Sequence, residues 1–228
     1  MSYSIALFDA DNTLLDFSRS ERDALSECLC ARGIEPTNQI LSRYAEINDL
    51  HWKLLERGLT TREKLRTDRF AEFFGEMGLT LDPNQMADDY LVALSSKAYC
   101  MDGAENLIRR LAGRCRLFII TNGNASVQNA RFNSTSMAPL FEGVFISEEL
   151  GVSKPDKRFF DLVADSIKDF DPRDALVIGD SLSSDILGGI HAGIDTCWFN
   201  RRGIDAPQDM SITYTVRSLE EVESILLS

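Results

Sequence analysis

Ser4-Ile5-Ala6-Leu7-Phe8 is a short apolar run that stops at an acidic cluster, and runs of this kind recur along the chain. Leu117-Phe118-Ile119-Ile120 stops at Thr121-Asn122-Gly123, and Gly143-Val144-Phe145-Ile146 stops at Ser147. Ala175-Leu176-Val177-Ile178 gives way to Gly179-Asp180, and Thr196-Cys197-Trp198-Phe199 to Asn200. Unbroken apolar runs of this length, without polar alternation, predict strands buried on both faces. The intervening segments Ala104–Leu111, Ala125–Asn133, Lys157–Ile167 and Ser184–Ala192 carry helical patterns. Strands alternating with helices predict an α/β fold whose parallel sheet is covered on both faces.

From about Asp16 to Cys100 this rhythm breaks, and the pattern there is helical throughout. Helices are predicted over Arg19–Arg32, stopped by Gly33; Asn38–Arg57, stopped by Gly58; Thr61–Met77, stopped by Gly78; and Pro83 to about Tyr99. Thr60 with Glu63, and Asp82 with Gln85 behind Pro83, have capping-box spacing. Ser218 with Glu221 repeats it at the start of a last helix, Ser218–Leu227. Two unequal domains are expected: residues 1–15 with 101–228 as an α/β core, and residues 16–100 as an inserted all-helical unit. A parallel sheet collects polar groups beyond the carboxyl ends of its strands. Asp9, Asp11, Thr121, Asn122, Asp180 and Asp185 all follow apolar runs, so the topology would gather them at one edge.

Composition narrows the chemistry. Of 228 residues, 36 are acidic and 24 basic, a formal charge of -12, so the field around the molecule repels polyanions. That points away from nucleic acid polymers and toward a small ligand whose charge is met by a bound cation and local donors. Met1-Ser2-Tyr3-Ser4 lacks the basic and apolar segments of a signal peptide, and no apolar run is long enough to span a bilayer, so a cytoplasmic protein without membrane attachment is expected. The five cysteines have neither zinc-type nor redox-type spacing and read as small apolar fillers.

Asp9 and Asp11, one residue apart after the first run, are a pair whose like charges can push their proton affinities apart, leaving one as nucleophile or metal ligand and one to move a proton. The same pair taken alone could simply cap a turn. It does not open a calcium loop, because Leu14 and Ser20 occupy the places that need Gly and Glu. Asp180 directly follows a strand and offers a hard oxygen to Mg²⁺, while Asp185 could equally serve the start of the next helix. Thr121 supplies a hydroxyl, and the amides of Asn122 and Gly123 precede a helix, a place that attracts anions. Lys154, before Pro155 in a loop, is ordinarily solvent-facing but could balance the carboxylates and hold a phosphate.

Taken in order, Phe8-Asp9-Ala10-Asp11-Asn12-Thr13-Leu14, Ile120-Thr121-Asn122-Gly123, Lys154-Pro155 and Gly179-Asp180-Ser181-Leu182-Ser183-Ser184-Asp185 resemble the four motifs of the haloacid dehalogenase superfamily. The resemblance is to its phosphatases with a helical cap inserted after the first motif, and it spans the whole chain. It implies a Rossmann-like core, with Asp9 attacking phosphorus to form an aspartyl phosphate and Asp11 as the acid and base. It also implies Mg²⁺ on Asp9, on the backbone carbonyl of Asp11 and on Asp180; Thr121, Asn122 and Lys154 on the phosphate; and Asp185 orienting Lys154 or touching the metal.

Within that superfamily the first motif and the run from Gly179 to Asn200 look closest to the pyrimidine 5'-nucleotidases, which implies a nucleoside monophosphate as substrate and a monomer or homodimer. Phosphatases of sugar phosphates or phosphoglycolate share the four motifs. Two further readings come from other classes. A metal-independent 2-haloacid dehalogenase would use Asp9 but would need no acid at Asp11, and a non-catalytic binding protein would not need every catalytic position filled. In the helical segment, Trp52, Phe70, Phe73, Phe74 and Tyr90 could stack on a base, though their helical spacing reads first as the unit's own core.

Overall fold

The computed structural model describes residues 3–227, so Met1 and Ser2 of the expected leaderless start lie outside the described residues. The chain divides into two compact units, one of them Phe17–Tyr99 and the other made from the segments that end at Asp16 and resume at Cys100.

The first unit is helical: α1 (Phe17–Cys30), α2 (Asn38–Glu56), α3 (Arg62–Met77) and α4 (Pro83–Ser95). Its helix ends follow local chemistry. Gly78 closes α3 in the left-handed conformation, with φ of 64°, that side chains with a Cβ resist. The N-cap of α3 is Thr61, whose hydroxyl accepts from the Lys64 amide, and not its neighbour Thr60. Asp82 caps α4 through the Asn84 amide, but Gln85 donates to Asp89 instead of reaching back, so the expected capping box is absent there. α4 stops at Ser95, short of Tyr99, because the hydroxyls of Ser95 and Ser96 bond the carbonyls of Leu91 and Ala93 and so compete with the helix.

Aromatic residues from three helices form the heart of this unit. Tyr44 stacks on Phe70 at 5.1 Å between ring centroids and meets Phe73 at 5.4 Å edge-on, while Phe70 meets Tyr90 at 5.5 Å. Phe70, Phe73, Phe74 and Tyr90 are all buried, so these four rings are core and not a surface that could receive a base.

The second unit holds one six-stranded sheet of β1 (Ile5–Phe8), β2 (Arg116–Thr121), β3 (Gly143–Ile146), β4 (Ala175–Gly179), β5 (Asp195–Phe199) and β6 (Tyr214–Val216). The order is β3-β2-β1-β4-β5-β6, and every pairing is parallel. β6 carries no signal in the sequence, being three residues long and partly exposed. The helices are α5 (Ala104–Leu111), α6 (Ala125–Asn133), α7 (Ser147–Leu150), α8 (Lys157–Ser166), α9 (Leu187–Ala192) and α10 (Leu219–Leu226), the last begun by the expected Ser218–Glu221 capping box. A single π-helical turn, Leu182–Ile186, delays the helix read from Ser184 until Leu187.

Successive residues of β1 feed opposite faces of the sheet. Ala6 and Phe8 pack with Leu107, Ile108 and Leu219 on one side; Ile5 and Leu7 pack with Phe159, Phe160 and Val163 on the other. The helix layers therefore lie on both faces. Cys28, Cys115 and Cys197 are buried fillers, whereas Cys30 is exposed. Among the described residues no helix is long and apolar enough to cross a membrane.

Phe70→Ala should empty the centre of the aromatic cluster and cost about 3–5 kcal/mol in the helical unit. In a Trp198→Phe background Trp52 is the sole tryptophan, so urea denaturation followed by its fluorescence reports that unit. A loss under about 1 kcal/mol would mean that the ring stack does not hold the helices together.

Candidate active site

β1 lies mid-sheet, with chain order running outward to β2 and β3 on one side and to β4, β5 and β6 on the other. The crevice beyond the carboxyl ends of β1 and β4 is thus the point where the winding reverses, the place such sheets use for ligands. Asp9 follows β1, Thr121 ends β2, and Asp180 follows β4.

Local geometry holds these residues at the strand tips. The Asp9 amide extends the β1–β4 pairing by donating to Ile178, at 2.8 Å. The chain then turns back at once, with the Leu14 and Leu15 amides both donating to the Ala10 carbonyl and Asn12 at φ of 60°. Asparagine is among the few residues that accept that left-handed conformation. At the end of β4, Gly179 gives Asp185 room: a Cβ on Gly179 would lie 2.2 Å from Asp185 Oδ2. The indole of Trp198 donates to the Asp180 carbonyl at 3.0 Å and anchors the loop from β5.

At the centre lies Lys154, 1% exposed, in contrast to the solvent-facing place a lone loop lysine ordinarily takes. Its ammonium donates to Asp185 Oδ1 at 2.6 Å, Asp9 Oδ1 at 2.8 Å and the Ile120 carbonyl at 2.8 Å, which uses all three of its protons. Asn122 fixes the loop that carries it, its side-chain amide accepting from the Lys154 N–H and donating to the Lys154 carbonyl, both at 2.9 Å. Asp185 also accepts the Ser181 amide, so its carboxylate is held within its own turn as well as by the lysine. The other Asp9 oxygen receives a 3.3 Å bond from the Thr13 hydroxyl.

Asp9, Asp180 and Asp185 each present a carboxylate oxygen within 4.8 Å of the others. Three carboxylates against one ammonium leave the cluster short of positive charge. Burial pushes the Asp9 carboxyl well above the usual carboxylate range; Lys154 opposes this, and Asp185 and Asp180 add to it. Burial and the charge of Asp185 likewise lift Asp180 to about 7 against the pull of Lys154. Burial pulls the Lys154 ammonium down, but Asp185 and Asp9 outweigh it and hold its proton more firmly than usual. Three hard oxygen donors with surplus negative charge, two of them buried and that of Asp180 half-buried, fit a small divalent cation such as Mg²⁺.

The carboxylate of Asp11 stands apart from this trio. Its Oδ1 accepts from Arg131 Nη1 at 2.6 Å and its Oδ2 from Gln128 Nε2 at 2.8 Å, so any share Asp11 takes in holding a cation falls to its backbone carbonyl. Gln128 and Arg131 lie on α6, are buried, and carry no motif signal in the sequence. The only trace is a long polar pair at i and i+3 on the helix that follows Thr121. Of the two amides expected to seat an anion, that of Gly123 turns onto the Thr121 hydroxyl at 3.2 Å; at the start of α6 the Ala125 amide is taken by Glu148.

Comparison with known proteins agrees with this architecture. Residues 3–193 match the haloacid dehalogenase-like hydrolase family. The chain is 36% identical to the HAD-hydrolase YfnB of Bacillus subtilis, covering 98% of this chain and 95% of that one. The crystal structure of YfnB bound to magnesium superimposes with a TM-score of 0.95 over 99% of each chain. Identity is 34% to the pyrimidine 5'-nucleotidase PynA of Streptococcus pneumoniae, over 97% of this chain and 94% of that one. It is 32% to the pyrimidine 5'-nucleotidase YjjG of Escherichia coli, over 99% of each. A parallel sheet with an acidic cluster at its switch point, matched over nearly the full length to these relatives, places the chain in the haloacid dehalogenase-like hydrolases.

Proposed function

We propose that this hydrolase is a magnesium-dependent phosphomonoesterase that works through an aspartyl phosphate on Asp9, with a pyrimidine nucleoside 5'-monophosphate as its substrate. The observation that carries the reading is the gathering of the Asp9, Asp180 and Asp185 carboxylates at the switch point of the sheet, with the buried Lys154 bonded to Asp9 and Asp185. The choice of nucleotide is supported by the names of PynA and YjjG, whose likeness runs the full length of the chain, helical unit included. That unit, residues 16–100, is the proposed cap, and residues 1–15 with 101–228 the proposed catalytic core.

Asp9 Oδ1 is bound to Lys154, whereas Oδ2 carries only the long bond from Thr13 and is the oxygen better able to attack. Attack on phosphorus forms the Oδ–P bond as the ester P–O bond breaks, and Asp11 gives a proton to the departing alkoxide. A water then attacks the same phosphorus and passes a proton to Asp11, and the Oδ–P bond breaks to release phosphate. Both Asp11 oxygens accept hydrogen bonds, from Arg131 and Gln128, which hold the carboxylate in one orientation. Thr121 and the Asn122 amide meet the phosphate oxygens. Lys154, with every proton already engaged, serves them through its charge. Mg²⁺, held by Asp9, the Asp11 carbonyl and Asp180, with Asp185 beside it, would shield the nucleophile from the negative oxygens of the phosphate.

Asp9→Asn should lower phosphate release from UMP at least ~1000-fold with an unchanged circular dichroism spectrum. Retention of most activity would show that Asp9 is not the nucleophile. EDTA should abolish turnover and Mg²⁺ restore it; activity indifferent to chelation would favour a metal-independent hydrolase instead.

The proton affinities give a second test. A carboxyl raised in the folded state binds more protons there than in the unfolded chain, so its contribution to stability is present at low pH and is lost as pH rises through about 4 to 7. In EDTA, Asp180→Asn should therefore gain in Tm over the parent as pH goes from 4 to 7.5. Mg²⁺ should raise the Tm of the parent more at pH 7.5 than at pH 5.5, and should leave Asp180→Asn unmoved. An equal magnesium shift in both proteins would remove Asp180 from the cation site.

A further inference from the structure

A threonine hydroxyl has one proton to give and two lone pairs to fill. At Thr121 both lone pairs are taken: Oγ1 accepts from Gln128 Nε2 at 2.6 Å and from the Gly123 amide at 3.2 Å. Its proton is therefore turned away from both donors and left for an acceptor that is not part of this network. We propose that Gln128 is a positioning residue that sets this polarity, forcing Thr121 to present itself as a donor to the phosphate. The inference rests on the phosphatase reading above.

The orientation of the Gln128 amide is dictated by its surroundings. Oε1 accepts from Arg131 Nη1 at 3.0 Å, while Nε2 faces the Asp11 carboxylate as well as Thr121. Turned over, the amide would set an oxygen against a carboxylate and an NH₂ against a guanidinium, losing its bonds to Asp11 and Arg131 and reversing the one to Thr121. Arg131, fully buried and paired with Asp11 Oδ1 at 2.6 Å, thus locks Gln128, and Gln128 locks Thr121. Space is reserved for the arrangement: a Cβ on Gly123 would lie 2.6 Å from the Gln128 side chain. Gln128 itself is 3% exposed, so it acts on a bound phosphate through the groups it holds, Thr121 and Asp11, and of these Thr121 is the one that serves phosphate binding without proton transfer.

Gln128→Met keeps the length of the side chain and removes its donor, freeing the Thr121 hydroxyl to rotate. The readout is the inhibition constant of inorganic phosphate against hydrolysis of p-nitrophenyl phosphate in the presence of Mg²⁺, because phosphate needs the donor but no proton transfer. Gln128→Met should raise that constant about tenfold in the parent and less than about twofold in a Thr121→Val background, where no hydroxyl remains to orient. Gln128→Glu keeps the contact with Arg131 but accepts where Gln128 donates, so it draws the Thr121 proton inward and should raise the constant further still; it also decides the matter if the Met variant fails to fold. An unchanged constant, or the same factor in both backgrounds, would overturn the inference while leaving the phosphatase reading intact. A parent protein that releases no phosphate from the ester would overturn both.

Discussion

An ammonium ion with almost no exposure to water survives only where its charge is met, and Lys154 is met by Asp185, Asp9 and the Ile120 carbonyl. Removing either carboxylate would leave a buried charge short of a partner, and removing the lysine would leave two carboxylates facing each other. The three residues come from the end of β1, from the turn after β4 and from the loop before α8, so this one buried ion set binds together segments far apart in the chain. The reciprocal bonds of Asn122 with Lys154, the glycine at 179 and the bond from Trp198 to the Asp180 carbonyl all hold that arrangement in place.

The site is stable enough to persist yet not satisfied. Burial and mutual repulsion raise Asp9 and Asp180 above the carboxylate range, and the lysine offsets only part of the charge. A cation bound there would relieve repulsion that a purely structural cluster would have been expected to avoid. This is the usual pattern of a functional site, where stability is given up for reactivity.

Most of this was legible in the sequence because β1 and β4 are continuous apolar runs that end in carboxylates, and a parallel sheet brings such ends together whatever their separation. What was not legible depends on partners distant in the chain. Gln128 and Arg131 look like ordinary polar residues of a surface helix until Asp11, 117 and 120 positions away, is placed against them. Lys154 was ambiguous for the same reason, since nothing next to it in the chain announces a buried ion pair. Smaller misreadings were local: two adjacent threonines compete to cap α3, and two serine hydroxyls end α4 early. β6 is too short and too exposed for its pattern to rise above that of a loop.

The central place of β1 has a bearing on how the molecule comes into being. Asp9 leaves the ribosome well before its partners, since Lys154 lies 145 positions later and the β4 partners of β1 later again. Contacts of such long range are slow to form and cannot begin until the chain that supplies them exists. The growing polypeptide thus carries the Asp9 carboxylate without its ion partners until Lys154 and Asp185 have emerged and folded around the first strand.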